Sequence, residues 1–215
     1  SPKFFIGRWP VRGENDVRLM KSRSILYMMM PNDPSYLNKV LLVAGNSGGI
    51  GIYPVTPVWT SQWLMDELKF YGSQVDTVFW QNEQNDNEDE MTSDIIDIWD
   101  AGVGLVAYRG WAGTTGWDKP FFRIEHLQGL VNDGELPVVF SFVCNTGDFG
   151  NDYSGSGLSK CFGEVLITGG SMNNPRGAVA MVGPSDLDTD TRFNNVMCAA
   201  MWDEMLEGRI PELAP

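Results

Sequence analysis

Apolar runs of strand length alternate with segments of helical periodicity, and that order predicts an α/β fold on a mostly parallel sheet. Two observations weigh most. After Lys39, "KVLLVAG" (39–45) is apolar or glycine throughout, which suits a central strand covered on both faces. Segments of helix length also stand between most successive strand runs, as right-handed crossovers between parallel strands require. The chain carries no internal repeat.

Taken in order, "KFFIGRWPV" (3–11) reads as a short strand ended by Pro10. From Asn15 to about Met29, apolar residues recur at helical spacing (Val17, Met20, Ser24 to Tyr27) until Pro31 stops the run. "MMM" (28–30) reads as the end of that helix tucked into a core. After the turn "PNDPS" comes the 39–45 strand, then a helix from Val58 to Tyr71 closed by Gly72. "VDTVFWQ" (75–81) is a strand, "MTSDIIDIWDAG" (91–102) a helix and "GVGLVAYRG" (102–110) a strand. "FFRIEHLQGLVND" (121–133) is an amphipathic helix, followed by the strand that leads to Cys144. "CFGEVLITGG" (161–170) is helix, "GAVAMVG" (177–183) strand, and "TRFNNVMCAAMWDEMLEG" (191–208) a long final helix.

Composition narrows the function. The chain has 215 residues, room for one large domain or two small ones, and 43% of them are apolar. A net charge of −13 argues against nucleic acid, whose phosphates are bound by clustered Lys and Arg, and against an anionic membrane surface. No apolar run approaches the length of a membrane span. The single histidine, His126, excludes a multi-histidine metal site, and Cys144, Cys161 and Cys198 lie in no metal-ligand spacing. Cys161 and Cys198 fall among apolar neighbours in helical segments and read as buried thiols. The chain opens Ser1-Pro2-Lys3 with no initiator Met, so a fragment or processed form is expected.

Two further stretches have ordinary readings. "NEQNDNEDE" (82–90) is rich in carboxylates but lacks the Gly and Glu spacing of an EF-hand loop, so a solvated loop is expected. Calcium there is the alternative; no other cofactor is expected. "GNSGGIG" (45–51) follows a strand as a phosphate-cradling loop does. Pro54 and Pro57 separate it from the next helix, however, so nucleotide binding is the weakest reading.

The chemistry gathers elsewhere. Ligands bind beyond the carboxyl ends of strands in an open parallel sheet. Two such ends carry special residues: "YRGWAGTTGW" (108–117) and "CNTGDFG" (144–150). Neighbouring strands would set these loops face to face, with Cys144 near the backbone N–H groups of a glycine-containing loop. Such a pair can serve a thiolate and an oxyanion hole together.

The run "GLVAYRGWAGTTGW…HLQGLVNDGELPVVFSFVCNTGDF…CFGEVL…GAVAMVGPS" resembles the catalytic subdomain of the gingipain family of cysteine peptidases. "FIGRWPV" near the start is similar to that family's signature at the end of its preceding subdomain. The resemblance implies a caspase-like three-layer sandwich. It divides the chain into residues 1–37, the end of a preceding subdomain with a connecting helix, and residues 38–215, the catalytic subdomain. It implies Cys144 as nucleophile, an oxyanion hole from the N–H groups of Cys144 and Ala112, and substrate contacts at Gly110, Gly113 and Trp117. It also implies a peptide or protein substrate, a preceding subdomain of the same precursor as partner, and a place outside the cell or on a bacterial surface.

One position departs from the family. Active members carry Gly-His-Gly in the first loop, where the histidine is the general base; here the loop reads Gly110-Trp111-Ala112. An indole N–H only donates. His126 would lie about 9 Å along the following helix, moving away from the site. Asp148 is close in sequence, but a carboxylate near pKa 4 is a poor base toward a thiol near 8.5. Two readings of the site stay open: an active peptidase with an unusual base, and a silent pseudopeptidase kept as a binding or structural module of a larger surface protein.

Overall fold

The computed structural model describes residues 7–29, 34–48, 51–150, 159–186 and 189–208. Its strands are β1 (Lys39–Gly45), β2 (Gln74–Trp80), β3 (Leu105–Arg109), β4 (Ala112–Gly113), β5 (Gly116–Asp118), β6 (Phe121–Arg123), β7 (Val138–Phe142) and β8 (Ala180–Val182). Its helices are α1 (Glu14–Met28), α2 (Thr56–Phe70), α3 (Glu88–Asp100), α4 (Ile124–Gly129), α5 (Phe162–Thr168) and α6 (Thr191–Leu206). Five strands form a wholly parallel sheet in the order β2-β1-β3-β7-β8, and β4, β5 and β6 form a small antiparallel sheet.

The central strands are apolar throughout because each face of the large sheet has its own core. Leu41, Val43, Val106, Tyr108 and Val139 pack with α3, α4 and α5 on one face. Val40, Leu42, Leu105, Ala107 and Phe140 pack with α2 and α6 on the other. The result is the expected three-layer sandwich with a mostly parallel sheet. Local signals set the helix ends. Asn87 Oδ1 accepts from Asp89 N (3.1 Å) and Glu90 N (3.4 Å), so it caps α3. Glu88, Asp89 and Glu90 then complement the positive end of the helix dipole. Part of the acidic stretch read as a solvated loop is therefore the first turn of α3. α2 stops where Gly72 takes φ +93° and returns its N–H to Lys69 O (3.1 Å).

Three expectations need correction. The helix expected over 121–133 is confined to α4, because Phe121–Arg123 pairs as β6 with Gly116–Asp118. That pairing needs glycine at 116. Its φ is +134°, and a Cβ there would sit 2.5 Å from Phe122 O. The strand expected over 3–11 is not found: residues 7–11 are irregular, and residues 3–6 lie outside the described residues. Met28 and Met29 are exposed rather than tucked into a core, and Met30 lies outside the described residues.

α1 is nonetheless tied to the far end of the chain. Arg12 Nε and its terminal nitrogen donate to the two oxygens of Glu164 at 2.9 and 3.0 Å, with the Glu164 carboxylate buried. Lys160 Nζ reaches both Asp16 oxygens at 3.1 Å. Arg23, buried, donates to the carbonyl oxygens of Ala178 and Gly169. Burial pulls its pKa down to about 10.

Gly45 closes β1 where Lys119 passes over it. A Cβ at this position would meet Lys119 O at 1.8 Å and Lys119 C at 2.6 Å, and backbone cannot move aside cheaply. Gly45→Ala should cost about 1–3 kcal/mol through overpacking. Thermal unfolding checks this as a midpoint several degrees below the parent.

Candidate active site

β7 delivers its last residues to the carboxyl end of the sheet, and the chain then turns sharply. Val143 is buried, Cys144 is half-buried, and Asn145 adopts φ +26°, which asparagine tolerates better than most residues. Asn145 is tied down from both sides. Its N–H donates to Asp186 O (2.8 Å), and its Nδ2 donates to Thr114 Oγ1 (2.7 Å) in the turn between β4 and β5. Thr146, fully buried, pairs with Ser141 Oγ at 3.1 Å, and Ser141 in turn accepts from Trp117 Nε1 (3.1 Å). The cysteine loop and the small sheet are thus hydrogen-bonded as one piece.

The small sheet rests on aromatic packing. Trp117 stacks on Tyr108 with ring centroids 4.3 Å apart and meets Phe122 and Phe162 at 5.4 and 5.5 Å. The Tyr108 hydroxyl lies 2.7 Å from Trp111 O and 2.9 Å from Lys119 O, so one buried proton serves both carbonyls. Burial raises the pKa of that phenol well above its ordinary value. The backbone of Trp111 is fixed accordingly, and the residue is 44% exposed.

β3 and β7 are adjacent and parallel, with Arg109 opposite Phe142, so Trp111 and Cys144 leave the sheet at the same edge. Their side chains meet different neighbours. Trp111 lines a cleft of about 720 Å³ with Asn46, Ser47, Trp80, Gln81 and Lys119, beyond the ends of β1 and β2. Cys144 Sγ instead lies 3.2 Å from Thr189 Oγ1, just ahead of α6. A second cavity, of about 310 Å³, is lined by Gly147, Phe149, Cys161 and Met181 on the β8 side.

The remaining expected site residues divide. Ala112 is buried at the start of the small sheet, opposite Trp117. Gly113 has open space where a side chain would be. Gly110 is packed against Tyr108, whose hydroxyl oxygen would be 2.5 Å from an added Cβ. Trp117 is wholly enclosed in the core, so it supports the loop from inside and does not form a wall for substrate. His126 is committed to structure: its Nδ1 accepts from Arg123 N (2.9 Å) at the start of α4, and its ring stacks on Phe122. Asp148 is buried with the cysteine loop. Among the described residues, no group of three or more His, Cys, Asp or Glu side chains is arranged to hold a metal ion.

Arg109 is the site residue that sequence reading missed. The last residue of β3, it is buried and donates to Phe142 O, to Asn195 Oδ1 and to Thr191 O (3.3 Å). Burial pulls its pKa down, against the opposing pull of the Cys198, Tyr108 and Cys144 groups. A charged residue closing an apolar strand was the signal for it. Thr189 and Asn194, bonded at 3.0 Å, had no such signal.

The three free cysteines should separate chemically. Burial pushes the Cys161 thiol up to about 11 and the Cys198 thiol up to about 12. Alkylation of native protein near pH 8 should therefore modify Cys144 first, with Cys161 and Cys198 reacting on unfolding; peptide mapping checks the order. Both buried thiols hold their protons more tightly folded than unfolded. Their contribution to stability is full below about pH 8.5 and is lost as pH rises toward their folded values, so the thermal midpoint should fall over that range.

The chain matches the sequence profile described as Peptidase family C25 over residues 1–214. Gingipain R2 of Porphyromonas gingivalis is 24% identical over 203 residues, which cover 90% of this chain and 26% of that protein. The crystal structure of the Arg-specific cysteine proteinase gingipain R (RgpB) matches with a TM-score of 0.74 at 23% identity, over 98% of this chain and 46% of that one. The complex of Porphyromonas gingivalis RgpB pro- and mature domains matches at 0.75 and 23% identity, over 95% and 45%. The chain thus spans about a quarter of gingipain R2 and less than half of each solved chain. The structural likeness establishes the caspase-like α/β fold. With the profile running nearly end to end, the resemblance carried by the Trp111 and Cys144 loops resolves into membership: this chain belongs to peptidase family C25, the gingipain family.

Proposed function

We propose that the chain is a gingipain-like cysteine peptidase domain that cleaves peptide bonds through a Cys144 thiolate. One observation carries the reading: the Cys144 loop and the Ala112 hairpin are locked together, through Asn145 and Thr114, at the carboxyl ends of adjacent parallel strands. In this mechanism the thiolate attacks the substrate carbonyl, and the N–H groups of Cys144 and Ala112 receive the oxyanion. Collapse of the adduct expels the amine, which takes a proton from water, and a second water hydrolyses the acyl-enzyme. The substrate is a peptide or protein, and the Arg specificity attributed to RgpB makes Arg the first side chain to test before the scissile bond.

The partner expected from the family is a preceding subdomain of the same precursor, with residues 1–37 leading from it. The solved complex of RgpB pro- and mature domains supports assembly with a second domain. A place outside the cell or on a bacterial surface belongs to the same proposal. Among the described residues, no helix is long and apolar enough to cross a membrane.

A second reading has its own observation. The resemblance sets Trp111 at the family's histidine position, and the one histidine, His126, is used as a helix cap. This favours a silent pseudopeptidase that serves as a binding or structural module.

An electrophilic peptidyl probe, followed by mapping of the modified residue, tests both. On the peptidase reading, wild type labels at Cys144 and hydrolyses a member of a fluorogenic peptide panel, and Cys144→Ala does neither. On the silent reading, wild type labels slowly and hydrolyses nothing. Trp111→His with Ala112→Gly should then raise labelling at least about tenfold, since a positioned base is worth about 10²–10⁴. No labelling in either protein would make Cys144 a structural thiol and end the peptidase reading.

A further inference from the structure

We infer that Thr189, oriented by Asn194, positions the Cys144 sulfur and donates to it when it ionises, with the buried Arg109 cation bridging the two segments that carry them. The inference rests on the reading of Cys144 as nucleophile and names the group that stabilises it where the family's imidazole is missing.

The donor pattern fixes the direction of the bond once Cys144 is ionised. A threonine hydroxyl has one proton and two acceptor positions. Asn194 Nδ2 donates to Thr189 Oγ1 at 3.0 Å and fills one of those positions. Cys144 Sγ lies 3.2 Å from the same oxygen. A thiolate only accepts, so in the ionised state the Thr189 O–H points at sulfur. The hydroxyl is no base at neutral pH. The thiol proton passes to water, and Thr189 acts by stabilising the anion that remains.

Arg109 is the second, independent observation. It donates to Phe142 O, two residues before Cys144, and to Thr191 O, two residues after Thr189. Its other bonded partner is Asn195 Oδ1, so these bonds go to neutral oxygens and leave the cation uncompensated by them. The charged residues on the adjoining described segments are Asp148 on the cysteine loop, buried, Asp186, whose backbone oxygen accepts from Asn145 N (2.8 Å), and Asp190 with Arg192 at the start of α6. Asp190 is engaged, accepting from Arg192 N (2.8 Å) and from its guanidinium (2.7 Å). The sixteen-residue helix α6 begins immediately after Asp190 and adds the positive end of its dipole to this corner.

The test is the rate of Cys144 alkylation by iodoacetamide across pH, followed by intact mass and peptide mapping on the full chain. This small neutral probe needs no peptide recognition: the thiolate displaces iodide as the S–C bond forms. Thr189→Val should move the labelling midpoint up by about one pH unit. The rate at pH 7 should fall about threefold rather than tenfold, because a more basic thiolate is intrinsically more nucleophilic. Thr189→Ser keeps the hydroxyl and should stay within about twofold of wild type. Asn194→Asp replaces the donor by an acceptor, draws the Thr189 proton away from sulfur, and should move the midpoint the same way as Thr189→Val. If Thr189→Val does not fold, Thr189→Ala against Thr189→Ser gives the same comparison. Coincident pH profiles for wild type and the folded variants overturn the inference. Failure of peptide hydrolysis with this pH response intact would overturn only the peptidase reading.

Discussion

Because Leu105 pairs with Val138 and Arg109 with Phe142 in one parallel register, the two loops that follow leave the sheet side by side. A shift of one residue would turn every core side chain of β7 to the opposite face. Both faces are buried, so that shift would exchange the partners of two cores at once. The register is over-determined, and the site inherits its precision. Asn145 reaches Thr114, and Arg109 reaches Phe142 O, only because neighbouring strands end level with each other.

What the site lacks and what it holds are different kinds of chemistry. An imidazole at position 111 would take a proton and later return it. Trp111 does neither, and its indole is turned toward the cleft beyond β1 and β2. On the sulfur's side stand the Thr189 hydroxyl, the buried Arg109 guanidinium and the start of α6, which favour an anion without accepting a proton. The Asp148 and Asp190 carboxylates on the same segments oppose it. On the inference drawn above, the site keeps a reactive thiol and leaves proton transfer to water. Between an efficient peptidase and an inert fold there is room for that intermediate chemistry.

The large sheet was legible because its central strands are buried on both faces and so read as unbroken apolar runs. β4, β5 and β6 were not, since strands of two or three residues carry too little pattern. The apolar spacing of Phe121, Phe122, Ile124 and Leu127 fits a helix as well as it fits the β6–α4 junction that forms. The sharp turn at Cys144 was readable from the turn residues after it. Thr189 was not readable: 45 residues separate it from Cys144, and only the folded α6 brings it back. Trp117 shows the opposite limit, for a conspicuous aromatic in a functional loop proved to be a core residue.

The clasp between α1 and the last third of the chain has a mechanical meaning. Arg12 holds Glu164, Asp16 holds Lys160, Ser22 holds Met172 O, and Arg23 holds Gly169 and Ala178. Residues far apart in sequence are fastened directly, so the backbone between them is not the sole tether. A cut in an exposed loop along that span would leave two fragments joined by ion pairs, buried hydrogen bonds and a shared core.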